Sequence, residues 1–290
     1  MQEKVIFITG ATGGIGKAAA FALARQGHRV IIHGRDKGRT QRVQQEIMEA
    51  TRNKHVDYIV GDLFLLAEAR RVAHALIDRY ERLDVLINNA GGIMSNICAL
   101  TAEGHETTIA LNLLTPFVLM QELLPLLRKS EDGRIVNVSS SSHRINAKPD
   151  FSDLELVNGY NPLRAYGNSK LFIMFVTEML SEDLRGKGIE NVTVNTMHPG
   201  AVATGFGVQS DLGPVLNALS KVARLFFRTP EKGAETLVYL AADAVVKGVR
   251  GKYFIDLKPA VVSRKYDSIE NRKKVWDYCA RVMASVEAVR

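Results

Sequence analysis

Tyr166 and Lys170 stand four residues apart in Tyr166-Gly167-Asn168-Ser169-Lys170, within a stretch that reads as helix from Tyr166 to Leu184, so their side chains share a face. A phenol ionises near pH 10, and bringing it to neutrality takes about three pKa units, on the order of 4 kcal/mol of preference for the phenolate. A nearby ammonium is a suitable source of such preference, because opposite charge favours the ionised form. The pair is thus equipped to pass a proton. A core tyrosine is the commoner reading of one such residue by itself. The neighbours argue otherwise: three serines, Ser139, Ser140 and Ser141, follow one apolar run, and a glycine-rich loop follows another.

That loop, Thr9-Gly10-Ala11-Thr12-Gly13-Gly14-Ile15-Gly16, comes after Val5-Ile6-Phe7-Ile8 and opens the small-residue helix Lys17 to Ala24. Strand, glycine turn and helix make a phosphate site, since the backbone comes close to the anion and the free N–H groups and positive dipole end of the helix point at it. A triphosphatase loop requires Gly-x-x-x-x-Gly-Lys-Ser/Thr. Here Ala11 stands where the first glycine belongs and Ala18 where the hydroxyl belongs, which disfavours that class. Gly10, Gly14 and Gly16 form a Gly-x-x-x-Gly-x-Gly variant of the dinucleotide loop.

These residues need a scaffold, and 290 residues at 46% hydrophobic content suffice for one large α/β domain. Strand-like runs fall at Val5–Ile8, Arg29–Ile32, Val56–Val60, Val85–Asn88, Ile135–Ser139, Val192–Met197 and Tyr253–Ile255. Between them, helical patterns cover Lys37–Thr51, Leu66–Tyr80, Glu103–Leu111, Leu113–Arg128, Tyr166–Leu184 and Glu231–Ala242. This alternation predicts a doubly wound parallel sheet in a single domain, residues 1–260, with a C-terminal helical extension over 261–290. No window reaches the roughly 18 apolar residues of a membrane span, so a soluble, unprocessed protein is expected. Cys98 and Cys279 lack ligand spacing, as do the seven histidines, and a reducing cytoplasm and no metal site are expected. The net charge of +7 is dispersed among 31 acidic residues, which argues against nucleic-acid binding.

In such a sheet the residues just after each strand meet the ligand. They are Gly61-Asp62-Leu63, Asn88-Asn89-Ala90-Gly91-Gly92, Ser139-Ser140-Ser141, and His198-Pro199-Gly200 with Thr204. With Tyr166 and Lys170, this set strongly resembles the short-chain dehydrogenase/reductase family over about residues 4 to 256. Phe151-Ser152-Asp153-Leu154, Gly159-Tyr160-Asn161-Pro162, His198-Pro199-Gly200 and Gly251-Lys252-Tyr253-Phe254 resemble its retinol dehydrogenase and protochlorophyllide reductase branch.

The resemblance implies a Rossmann fold and a set of roles. Tyr166 would pass a proton to or from the substrate oxygen, with its pKa lowered by Lys170 and a positive nicotinamide. Lys170 would also hold the nicotinamide ribose. Alignment of Gly133 to Val138 with the family strand makes Ser140 the residue that bonds the substrate carbonyl, with Ser139 and Ser141 left open. Asn112 would hold a water in a proton relay; without the resemblance, a helix-joining Asn is an equal reading. Gly10, Thr12, Gly13, Gly14, Ile15 and Gly16 would cradle the diphosphate. Asp62 and Leu63 would flank the adenine, while Asn89, Ala90 and Gly91 would pass beneath the ribose and diphosphate. Pro199, Gly200 and Thr204 would contact the nicotinamide end.

Cofactor choice turns on the end of strand two, where a carboxylate would bond a ribose 2′-hydroxyl and an arginine would attract a 2′-phosphate. His33-Gly34-Arg35 is followed by Asp36-Lys37-Gly38-Arg39, so Arg35 favours NADP(H) over NAD(H), with Arg39 or Lys37 as helpers and Asp36 as a counter-argument. The interval 205–228, where the family has its substrate lid, is rich in Val, Leu and Phe, which suggests an apolar small-molecule substrate. Lys221, Arg224 and Arg228 raise transient docking on an anionic membrane surface as an alternative. Monomer and homodimer are both open. Reduction of a C=C bond and a non-catalytic NADP(H)-sensing role are the rival functions.

Overall fold

Strands buried on both faces must be apolar at almost every position, and Val5-Ile6-Phe7-Ile8, Val30-Ile31-Ile32 and Val85-Leu86-Ile87 meet that demand. The computed structural model describes residues 3–94, 96–200, 228–263 and 265–288. Its eight-stranded sheet contains β1 (Val5–Ile8), β2 (Arg29–Gly34), β3 (Val56–Val60), β4 (Val85–Asn88), β5 (Gly133–Val138), β6 (Val192–His198), β7 (Tyr253–Ile255) and β8 (Lys258–Ala260). The order is β3-β2-β1-β4-β5-β6-β7-β8, with every pairing parallel except the last.

One face carries α1 (Gly14–Arg25), α2 (Lys37–Thr51) and α9 (Pro230–Ala242), packed on Ile6, Ile8, Ile32 and Ile87. The other carries α3 (Leu66–Arg79), a run of short segments and α8 (Pro162–Gly186), packed on Phe7, Ile31, Leu86 and Ile135. Successive strand residues thus enter two different cores, as the period of two requires. The short segments are α4 (Thr107–Ile109), a π-turn at Ala110–Leu114, α5 (Thr115–Glu122) and α6 (Leu124–Leu127). A single turn, α7 (Ser142–Ile145), follows β5, and α10 (Ile269–Ala288) ends the described chain. The order reverses between β1 and β4, and a crevice opens beyond their carboxyl ends. Among the described residues, no helix is long and apolar enough to cross a membrane.

Several boundaries differ from expectation. The helix expected from Glu103 starts only at Thr107, because Glu106 is an extended cap residue whose carboxylate accepts the N–H groups of Thr108 and Ile109. The helix expected over Leu113–Arg128 is interrupted at Leu123, one residue before a segment that carries Pro125 in its first turn. The strand expected to reach Ser139 ends at Val138. β8 is too short and polar to signal itself, and forms a hairpin on β7 through Asp256 and Leu257, both at positive φ. α10 packs chiefly on α8, with Val275 and Cys279 fully buried and Trp276 edge-on to Phe117 of α5 at 5.1 Å. Thr204 and the interval 205–227, including Lys221 and Arg224, lie outside the described residues.

Candidate active site

The glycine loop sits in the β1–β4 crevice. Gly10 has φ +64°, and a Cβ there would lie 2.9 Å from Ala90 Cα. A Cβ on Gly16 would lie 2.4 Å from Asn89 Nδ2 and 2.6 Å from Gly10 O, so the first turn of α1 is pressed against both loops. The Asn89 side chain, expected beneath the ribose, serves the protein itself: Nδ2 donates to Thr9 O (2.9 Å) and Gly10 O (3.1 Å). Thr9 Oγ1 accepts from Asn89 N (3.0 Å) and Ala90 N (2.9 Å), closing the staple. Gly13 caps α1 without a side-chain hydrogen bond, so no side chain competes for the N–H groups of the first turn. Thr12, Gly14 and Ile15 are half-buried around this turn.

At the end of β2 the charges separate into two roles. Asp36 is the N-cap of α2, its Oδ1 accepting from Arg39 N at 2.6 Å, which accounts for a carboxylate at this place. Arg35 is exposed and stacks over Phe64 at 6.0 Å, and Arg39 Nη2 lies 3.0 Å from where a Cβ on Gly13 would be. Two guanidinium groups therefore border the loop, and the uncapped helix with its bare glycines fits a phosphorylated dinucleotide.

A residue not anticipated from the sequence, His33, ties this region together. Gly10 N–H donates to its Nδ1 (3.3 Å), which assigns Nε2 as donor to Gly61 O (3.0 Å). Burial holds the ring neutral by lowering its pKa to about 4. Beyond Gly61, Asp62 accepts from Phe64 N (3.2 Å), and buried Leu63 accepts the Thr115 hydroxyl through its carbonyl (2.6 Å).

Ser140, Tyr166 and Lys170 meet past the end of β5. Ser139 turns inward and donates to Lys170 O (2.8 Å), while Ser141 begins the α7 turn. Ser140 Oγ accepts from Ser142 N (3.2 Å) and is hydrogen-bonded to the Tyr166 phenol. Lys170 Nζ donates to Val138 O (2.9 Å) and lies 5.5 Å from the Tyr166 ring centroid, over its face.

Burial raises the phenol above its ordinary value and Ser140 draws it partly back; burial also lowers Lys170 to about 7. Desolvation thus opposes charge on both partners, while the expected lowering of the Tyr166 pKa counts on a positive nicotinamide as well as on Lys170. Burial by itself favours the protonated phenol at Tyr166. At the ends of β5 and β6, burial also lowers the pKa of His143, and that of His198 to about 4. His198 is followed by half-buried Pro199 and by Gly200 at φ +82°, against which Arg228 packs.

Asn112 occupies the middle of the π-turn. Its Nδ2 donates to Thr108 O (2.8 Å) and Gly92 O (2.9 Å), and its Oδ1 accepts from Gly92 N (3.1 Å). In an α-helix its carbonyl would bond the N–H of residue 116, but Pro116 has none. Gly91 separates Asn112 from the lysine: a Cβ there would lie 2.4 Å from Asn112 Oδ1 and 3.2 Å from Lys170 Nζ. The interval Asn112-x-x-x-Pro116 was the available sequence signal for this turn.

The sequence model described as short chain dehydrogenase matches residues 4–212. Retinol dehydrogenase 13 of Homo sapiens is 36% identical over 284 residues, covering 97% of this chain and 84% of that protein. Of the solved structures, an uncharacterized protein from Mycobacterium paratuberculosis has a TM-score of 0.76 at 27% identity, covering 97% of this chain and 93% of that one. A short chain dehydrogenase from Shigella flexneri, complexed with NADP, has a TM-score of 0.68 at 25% identity, covering 88% and 97%. A family match over most of the chain, and a relative aligned along nearly all of it, agree with a glycine loop and a serine–tyrosine–lysine cluster at one sheet end: this oxidoreductase belongs to the short-chain dehydrogenase/reductase family.

Proposed function

We propose that the protein is an NADP(H)-dependent oxidoreductase that interconverts a carbonyl and an alcohol on an apolar small molecule. The carrying observation is the buried contact of Ser140 with Tyr166, with Lys170 over the same ring. When bound, the nicotinamide supplies or accepts hydride. The chain's own residues handle the proton and the orientation. The Ser140 hydroxyl, oriented by the Ser142 N–H and placed beside the Tyr166 phenol, would donate to a substrate oxygen. Tyr166, its protonated form favoured by burial, donates its proton to that oxygen in the reducing direction. Lys170 is anchored to Val138 O, and Asn112 across Gly91 completes a route by which the phenol regains a proton.

Arg35 and Arg39 beside the loop support NADP(H), as does the NADP-complexed Shigella flexneri relative. The apolar substrate class is supported by the composition of 205–228 and by the similarity to retinol dehydrogenase 13. Titration with NADPH and NADH, followed by nicotinamide fluorescence, tests the cofactor. NADPH should bind more tightly, and Arg35→Ala should weaken it about tenfold or more, the loss of a charge-assisted phosphate contact. Preference for NADH would overturn the assignment. Tyr166→Phe should bind NADPH normally yet reduce no hydrophobic aldehyde, and retained turnover would overturn the mechanism.

A further inference from the structure

Glu106 has no exposed surface, yet it bears a carboxylate. Its Oε1 accepts from Thr108 N (2.9 Å) and from the Tyr160 hydroxyl (3.2 Å), and its Oε2 accepts from Ile109 N (2.9 Å). Thr108 then passes the constraint on, because its carbonyl accepts Asn112 Nδ2 (2.8 Å). The Glu106 backbone N–H is held in turn by Glu155 Oε2, while Glu155 Oε1 takes the Tyr278 hydroxyl and faces His105 Nδ1 (2.9 Å). Tyr160 and Glu155 belong to the long connection between Ser140 and Tyr166, and Tyr278 belongs to α10.

A buried carboxylate is costly unless its acceptor sites are filled. Burial raises the Glu106 pKa against the opposing N–H bonds, whereas at Glu155 the bonds from His105, Tyr278 and Glu106 N–H outweigh burial and hold it below its usual range. An exposed serine or aspartate would cap a helix at less cost. What the buried arrangement adds is rigidity at the root of the π-turn, where a small shift moves Asn112 relative to Gly91 and Lys170.

We propose that Glu106 is a positioning residue for turnover: braced by Tyr160 and, through Glu155, by Tyr278 of α10, it fixes Asn112 against Gly91 and Lys170. The C-terminal helix thereby influences the reaction rate without touching the reactants. The inference rests on the proposed function, in which Asn112 serves proton return.

The test measures NADPH-dependent reduction of nonanal, a straight-chain aldehyde, by Tyr160→Phe, Tyr278→Phe and Glu106→Gln, each with native Asn112 and with Asn112→Ala. A glutamine keeps one acceptor oxygen and turns an NH₂ toward an N–H donor, so it is the severest variant; if it does not fold, the tyrosine pair decides. With native Asn112, kcat should fall about tenfold while KM for NADPH changes less than about twofold, and with Asn112→Ala no further fall should follow, the non-additivity of residues acting as a unit. Hydrogen exchange over residues 107–115 should also rise in the tyrosine variants, a readout independent of turnover. An unchanged kcat, an equal fall in both backgrounds, or unchanged exchange overturns the inference. If Asn112→Ala itself leaves kcat intact, or no aldehyde is reduced by the native protein, the functional reading fails and the inference falls with it; if Asn112→Ala is impaired and the tyrosine variants are not, the inference alone fails.

Discussion

Lys170 keeps an amine in the core with one backbone carbonyl, Val138 O, as its hydrogen-bond acceptor, and burial holds its pKa to about 7 against an ordinary value of 10.5. Between those values the unfolded chain binds more protons than the folded one, so stability rises with pH across that window, and the cost of the buried charge is fully present below about pH 7. Lys170→Met should therefore raise stability by about 1–3 kcal/mol at neutral pH, since an apolar side chain replaces a desolvated cation and the freed carbonyl offsets only part of the gain. Urea unfolding at pH 7 and pH 10 checks this: the gain should shrink at the higher pH, and turnover should be lost at both. A uniform destabilisation would show that the Val138 bond outweighs the burial cost. His33 shows the same economy without a charge, remaining neutral so that Nδ1 can accept the Gly10 N–H.

Among the secondary-structure elements, α1 and α8 show how one substitution changes sign with its surroundings. Gly→Ala in a helix ordinarily gains about 0.5–1 kcal/mol by reducing the freedom of the unfolded chain. At Gly186, in the last turn of α8, an added Cβ meets nothing within 4 Å, and Gly186→Ala should give that gain. At Gly16, an added Cβ strikes Asn89 Nδ2 and Gly10 O, and Gly16→Ala should cost about 1–3 kcal/mol through overpacking. Thermal melts check both signs, and NADPH titration should show weaker binding only for Gly16→Ala, because Asn89 holds the two crevice loops together.

The two cores on either side of the sheet differ in what covers them. The core under α3, α5 and α8 continues outward to α10, through Val275, Cys279 and the Trp276–Phe117 contact. Arg272 adds ion pairs to Glu178 (2.7 Å) and Asp267 (2.6 Å) at the rim. Trp276→Ala should cost about 2–3 kcal/mol, below the range for a fully buried aromatic because Trp276 is half-buried. Urea unfolding measures it, and Arg272→Ala, which removes partly exposed ion pairs at the rim, should cost less than about 1 kcal/mol. An Arg272→Ala loss as large as that of Trp276→Ala would mean that the helix is docked by charge.

Local pattern carried much of the architecture. The apolar runs of β1, β2 and β4, the glycine loop at Gly10 to Gly16 and the Tyr166–Lys170 interval are short-range features that state their own conformation or face, so strand positions, winding and family were readable from them. β8 was not, because Lys258-Pro259-Ala260 pairs only where β7 offers an edge. Likewise, no local feature distinguishes Ser140 from Ser139; the difference is that Lys170 O, on another element, accepts the Ser139 hydroxyl. The links from Glu106 to Tyr160 and from Glu155 to Tyr278 join residues distant in the chain, and His33 joins loops from two different strands. Periodicity records which face a residue occupies, but a hydrogen bond between remote side chains exists only once packing has brought donor and acceptor within about 3 Å, so folding in three dimensions settled those partners.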